Sequence, residues 1–221
     1  MEKFNYKREI IFWVLLIIPF VYVAYIWNAL PATIPIHFGI DGEPNGWAGK
    51  WGIFIIPVMA VFIYLLFLFI SKIDPKRMKG EASAGIFNKL RWALTIFFFF
   101  IAISATHSAL IGKLDVSGQW LAAIIFLLFA VLGNYMINVK PNWFIGVRTP
   151  WTLSSDTVWK KTHQVIGKLW FYGGLAGFLI SFFIGLNWAV NLMLVFAIGT
   201  GLFGVAYSFW LYKREQQQIE S

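Results

Sequence analysis

His37, Asp41 and Glu43 fall close together in the segment LPATIPIHFGIDGEPNGWAGKW, residues 30–51. An imidazole and two carboxylates are the side chains of a zinc site or an acid–base pair. The spacing matches no zinc pattern, however, and the segment has no second histidine. A strand through it would set His37 and Asp41 on one polar face, so a solvated face is the plainer reading and no metal is expected. The chain has no cysteine, which excludes thiolate catalysis, Cys-ligated zinc and disulfide stapling. No nucleophile stands with a base, and no glycine-rich phosphate loop leads into a lysine. Neither enzymatic activity nor a cofactor is expected.

The other chemistry-bearing residues are scattered. His107 is the only ionisable group inside a long apolar run, where such a residue raises a proton or ligand role; Asn134 is a candidate polar neighbour in the next run. Between residues 144 and 164 the segment FIGVRTPWTLSSDTVWKKTHQ gathers Arg148, Thr149, Pro150, Trp151, Ser154, Ser155 and Asp156. Arg148 either locks this segment to Asp156 or a phosphate head group, or joins Thr149, Trp151 and Ser154 in a docking surface.

The elements that position these residues follow from composition. Of 221 residues 59% are hydrophobic and only 13% charged, more apolar surface than a water-soluble domain of this size conceals. Residues 10–30, 52–71, 92–111, 120–137, 169–186 and 190–212 carry no Asp, Glu, Lys or Arg. Each matches the roughly 20 apolar residues that a helix needs to cross a bilayer core. An all-α integral membrane protein of six transmembrane helices is expected, with 10–71 a helical hairpin and 92–212 a four-helix region. Pro19 and Pro57 should loosen the first two helices.

Sixteen of the 18 basic residues lie in the two tails and in residues 72–91 and 138–168, leaving Lys50 and Lys113 for the alternate loops. The positive-inside bias then sets both termini and the 138–168 loop in the cytoplasm and residues 31–51 outside. The net charge of +8 is thus mainly a topology signal, with lipid head groups as partners and no direct nucleic-acid binding. Trp13, Trp27, Trp51, Trp92, Trp120, Trp170, Trp188 and Trp210 fall near span ends, as interfacial anchors do.

Outside, Ile34, Ile36, Phe38 and Ile40 alternate with polar or turn residues, which predicts an edge strand; Asp41-Gly42 and Pro44-Asn45-Gly46 supply turns. An ordered cap is expected. Inside, Ser154 or Ser155 caps a helix with Asp156 in its first turn, and Trp159, His163, Ile166 and Trp170 recur at helical spacing. This predicts a cytoplasmic interfacial helix leading into the fifth span. Gly173, Gly177, Ser181 and Gly185, with Ala197 and Gly201, form small-residue rows for internal packing or a homo-oligomer, and Asn187 to Ala189 should turn between spans five and six.

Residues 30–51 resemble the signature of the domain DUF1648, and NWFIGVRTPWTLSSDTVWKKTHQVIGKLWFYGG, residues 142–174, resembles the C-terminal signature of the SdpI family of bacterial immunity proteins. The resemblance implies a cytoplasmic-membrane protein that protects its producer from a secreted, membrane-active peptide toxin of the SDP type. It further implies a sensor that recruits a soluble transcriptional repressor. Carried onto this chain, His37, Asp41, Gly42, Glu43, Pro44, Asn45, Gly46 and Trp47 would face toxin, and Arg148 to Asp156 the repressor. A small permease or lipid-handling transporter using His107 and the glycine-rich helices five and six is the alternative.

Overall fold

The computed structural model describes residues 6–39, 41–73, 81–114, 117–142 and 145–220. Ile40 and Lys76, Arg77 and Lys79 of the basic loop lie outside them. Long helices dominate: α1 (Tyr6–Ile26), α2 (Ile55–Ile73), α3 (Glu81–Ile111), α4 (Ser117–Met136), α6 (Asp156–Ile180) and α7 (Leu186–Glu220). A one-turn helix, α5 (Pro150–Ser154), precedes α6. Among the described residues α1, α2, α3 and α7 are each long and apolar enough to cross a membrane, and α4 is a shorter apolar helix.

The prolines act differently from each other. Pro19 stays within α1. Pro57 stands in the first turn of α2, after a 3-10 turn over Lys50–Phe54, where no intrahelical partner is needed for its missing N–H. The expected loosening of span two is therefore a change of helix type at its start.

The cap is a two-stranded antiparallel hairpin, β1 (Thr33–Phe38) and β2 (Pro44–Gly49), so among the described residues the fold is helical with one small sheet. Pro35 pairs with Trp47 and His37 with Gly46, leaving Ile36 as the extra residue of a bulge. The expected alternation consequently breaks: Ile34 is buried, Pro35 is buried beside it, and Ile36 is 49% exposed. Ile34 seats the hairpin in a cluster with Val23, Leu30, Ile53 and Ala109 of the adjoining helices.

At the other end of the first three helices Phe12, Leu16, Ala60 and Tyr64 form a second cluster, against which Trp92 packs. A third, of Met136, Val139, Trp159 and Ile166, joins α4 to α6. These two helices approach through glycines. A Cβ on Gly167 would stand 2.7 Å from the Ile137 amide nitrogen, one on Gly133 2.6 Å from the Gly167 carbonyl oxygen, and one on Gly174 2.6 Å from the Ala130 amide nitrogen. The predicted rows are only partly this seam: Gly177 and Ser181 are buried, whereas Gly185 and Gly201 meet nothing within 4 Å.

The segment after Ser155 is the first half of α6 and runs into the predicted fifth span as expected, but its Trp159, His163 and Ile166 are buried in protein instead of lying on a lipid surface. The turn before α7 comes earlier than Asn187. The Phe182 and Phe183 amides bond to the Leu179 and Ile180 carbonyls, and Ser181 returns its hydroxyl to Gly177, tightening and closing α6.

Candidate functional site

Gly42 adopts a φ of 82°, the left-handed conformation that turns the hairpin without a side-chain clash. Its N–H donates to the Gly39 carbonyl, 3.0 Å, and its own carbonyl accepts from Leu114 beyond α3, 3.4 Å. A Cβ there would stand 2.7 Å from Leu186, so the turn lies against the start of α7. Asp41 accepts the Glu43 amide proton at 3.1 Å, an Asx-type turn that keeps one carboxylate oxygen occupied. His37 and Asn45 bond through Nδ1 and Oδ1 across the strands. An open cavity of about 800 Å³ lies between hairpin and α7, with Phe38, Pro44, Val190 and Leu194 as its apolar part and His37, Asp41, Glu43 and Asn45 as its polar part. Gly46 fits against the His37 Cβ, while Trp47 is outside this cavity and 56% exposed.

The second loop lies at the opposite end of the bundle, where α4 and α7 finish and α6 begins. Asn142 turns it by donating to the Lys140 and Ile145 carbonyls and accepting from the Ile145 amide at 2.7 Å. Thr149 is buried as the N-cap of α5. Its hydroxyl accepts the Thr152 amide proton at 3.3 Å while Thr152 Oγ1 accepts the Thr149 amide proton at 3.0 Å, with Pro150 at the first helical position. Thr149 also shares a hydrogen bond with Ser208 of α7, 3.1 Å, and Trp151 packs on Phe209 with ring centroids 4.9 Å apart. Ser155 Oγ accepts from Val158 as N-cap of α6, with Asp156 in the first turn. Thus Thr149, Trp151 and Ser155 shape the loop, and Arg148, Pro150, Ser154 and Asp156 are exposed on it.

Beneath the loop sits His163, 1% exposed and stacked on Trp159 at 4.1 Å. A carbonyl only accepts, so Nδ1 carries the proton and donates to the Trp159 carbonyl at 2.8 Å. Nε2 is then the acceptor for the Val147 N–H, 2.9 Å. Burial lowers the ring's proton affinity below the ordinary 6.5, against an opposing contribution from the Trp159 carbonyl. Gly146 has φ 123° and passes so close that a Cβ would collide with Nε2. Helical spacing set His163 in one row with Trp159, Ile166 and Trp170; its burial as an acceptor was not legible from spacing.

The intramembrane candidates do not meet. His107 is exposed near the end of α3 that adjoins the hairpin, and Asn134 is exposed near the end of α4 that adjoins the second loop. A buried ionic cluster occurs elsewhere, among residues to which the sequence assigned no site. Arg91 Nη2 reaches Glu9 Oε1 at 2.5 Å and Asn88 at 3.1 Å, Tyr64 donates to the other Glu9 oxygen, and the guanidinium lies 4.4 Å from the Phe12 ring centroid. A carboxylate and a guanidinium bordering separate apolar runs are the sequence signal for it.

Residues 138–208 match the model of the SdpI/YfhL protein family, and residues 14–61 match DUF1648, a domain of unknown function. The chain thus carries an SdpI/YfhL-family region preceded by a DUF1648 region, in agreement with the resemblance of its two polar segments, and is a multi-pass membrane protein. No curated protein and no solved structure matches the chain.

Proposed function

We propose that the chain is a membrane immunity protein that spans the bilayer six times with both termini in the cytoplasm. In this reading α4 and the second half of α6 supply the two crossings beyond the four longest apolar helices. The hairpin face, from His37 to Trp47, meets a secreted membrane-active peptide toxin. The loop from Arg148 to Asp156 meets a soluble cytoplasmic partner, a transcriptional repressor. The observation that carries the reading is that two ordered polar surfaces among the described residues stand at opposite ends of one bundle and both reach α7, the hairpin where Gly42 lies against Leu186 and the loop at Ser208 and Phe209. One helix therefore touches both, which is the connection a sensor needs between toxin and repressor.

Expression in a toxin-sensitive host, followed by challenge with purified SDP-type peptide, tests this. Survival at peptide concentrations that kill the empty-vector strain is the expected result. Equal killing, with the protein present in the membrane fraction, refutes it.

A further inference from the structure

His163 joins a loop to a helix through the one atom of its side chain that a proton would occupy. With Nδ1–H committed to the Trp159 carbonyl, Nε2 holds Val147 only as a lone-pair acceptor. A proton on Nε2 turns that bond into two N–H groups pointing at each other, and Gly146 packs too closely for the ring to retreat within its site. The charged ring would also be buried without a counter-charge. Charged groups on the surrounding elements include Lys140 and Arg148 in the loop region, Asp156, Lys160, Lys161 and Lys168 on α6, and Lys213, Arg214 and Glu215 on α7. Glu215 is half-buried and the others are exposed, and seven of these nine are basic.

We propose that His163 is a proton-operated catch on residues 145–152: protonation of Nε2 frees Val147, and the loop lifts from α7. Val147 passes the release on, because its carbonyl accepts from Thr152 at 2.8 Å and Thr152 holds the Thr149 cap that touches Ser208. Arg148 lies between Val147 and Thr149, so the surface assigned above to a cytoplasmic partner exists in a closed and an open form set by internal pH. That regulatory consequence rests on the function proposed above. The catch itself is testable without toxin or repressor, so either can fail alone.

Ser208→Cys sets a thiol under the loop of a chain that has no other cysteine, and Gln216→Cys, exposed on the same helix, is the reference. The ratio of their maleimide labelling rates is followed from pH 7.5 to 5.5 in full-length protein in lipid nanodiscs. The ratio should rise by up to about tenfold per pH unit as pH falls below the 6.5 of an unburied ring, one proton per opening, and level off only where the held ring itself takes a proton. In His163→Gln, whose amide oxygen accepts from Val147 without titrating, it should stay at its value at pH 7.5. A flat ratio with His163 present, or an equal rise in His163→Gln, overturns the proposal. Should His163→Gln fail to fold, NMR of the unsubstituted chain decides: the Val147 amide signal must move along the His163 titration curve, and independence of the two overturns it.

Discussion

Arg91 of α3 and Glu9 of α1 form a buried ion pair, 2.5 Å from Nη2 to Oε1, that binds the first and third long helices at the end opposite the hairpin. Both side chains are about nine-tenths buried, and Tyr64 of α2 joins through the second carboxylate oxygen. Removing one partner strands the other charge in protein, which costs about 3–5 kcal/mol, whereas replacing both by apolar residues removes the desolvation cost as well. Arg91→Ala and Glu9→Ala are therefore each expected to lower the unfolding midpoint sharply, and Glu9→Leu with Arg91→Met to recover most of the loss. Thermal unfolding in nanodiscs, run as a double-mutant cycle, measures it; additive single losses would contradict the pairing.

Glycine substitutions should divide by helix seam and not by sequence row. Gly133→Ala and Gly167→Ala press a methyl against backbone of the facing helix, and overpacking of this kind costs about 1–3 kcal/mol. At Gly201 nothing lies within 4 Å, so Ala there should be neutral or stabilising by up to about 1 kcal/mol through helix propensity. Unfolding midpoints of the three variants decide it.

How far the sequence revealed this arrangement depends on the range of the forces involved. The hairpin turn was readable because Asp41-Gly42 needs only local backbone chemistry, and the Ser155 cap of α6 for the same reason. The bulge at Ile36 was not, since it is set by pairing with Trp47 and Gly46 across the sheet. Likewise the start of α6 is buried because Trp159 packs against α4, where Nε1 finds the Val139 carbonyl at 2.9 Å. Lys160 and Lys161 made the same stretch read as a surface helix. Glu9 and Arg91 are 82 residues apart, and no local pattern joins them. Within the second loop, Thr149 and Arg148 were found as neighbours, but which of them is buried depends on Ser208, a partner from the far end of the chain.

Hairpin shape should control protection separately from membrane insertion. Valine at position 42 combines a disfavoured positive φ with contact against Leu186 and Leu114, which unseats the turn from α7. Gly42→Val is expected to reach the membrane at normal level and to lose most of its protection against peptide toxin. Survival assays paired with quantitative blots of the membrane fraction check this; full protection at normal level would remove the hairpin from toxin contact.

Acid should weaken the fold through His163. Its folded pKa is lowered, with burial as the main cause, so above the unfolded value of 6.5 both states hold a neutral ring and the stability is whole. As pH falls below 6.5 the unfolded ring takes a proton first, and stability declines by up to about 1.4 kcal/mol per pH unit until the folded ring titrates too. The difference in unfolding free energy between His163→Gln and the unsubstituted chain, measured from pH 8 to 5.5, should grow in favour of the variant below 6.5. A constant difference would contradict the assignment.

Opposite sidedness of the hairpin and the second loop is the claim from which toxin contact and cytoplasmic docking both follow. Asn45→Cys and Ser154→Cys, each exposed and each the sole thiol of its chain, report it directly with a membrane-impermeant maleimide on intact cells. The expected result is labelling of position 45 in intact cells and of position 154 only after permeabilisation. Labelling of both from the same side would contradict the account.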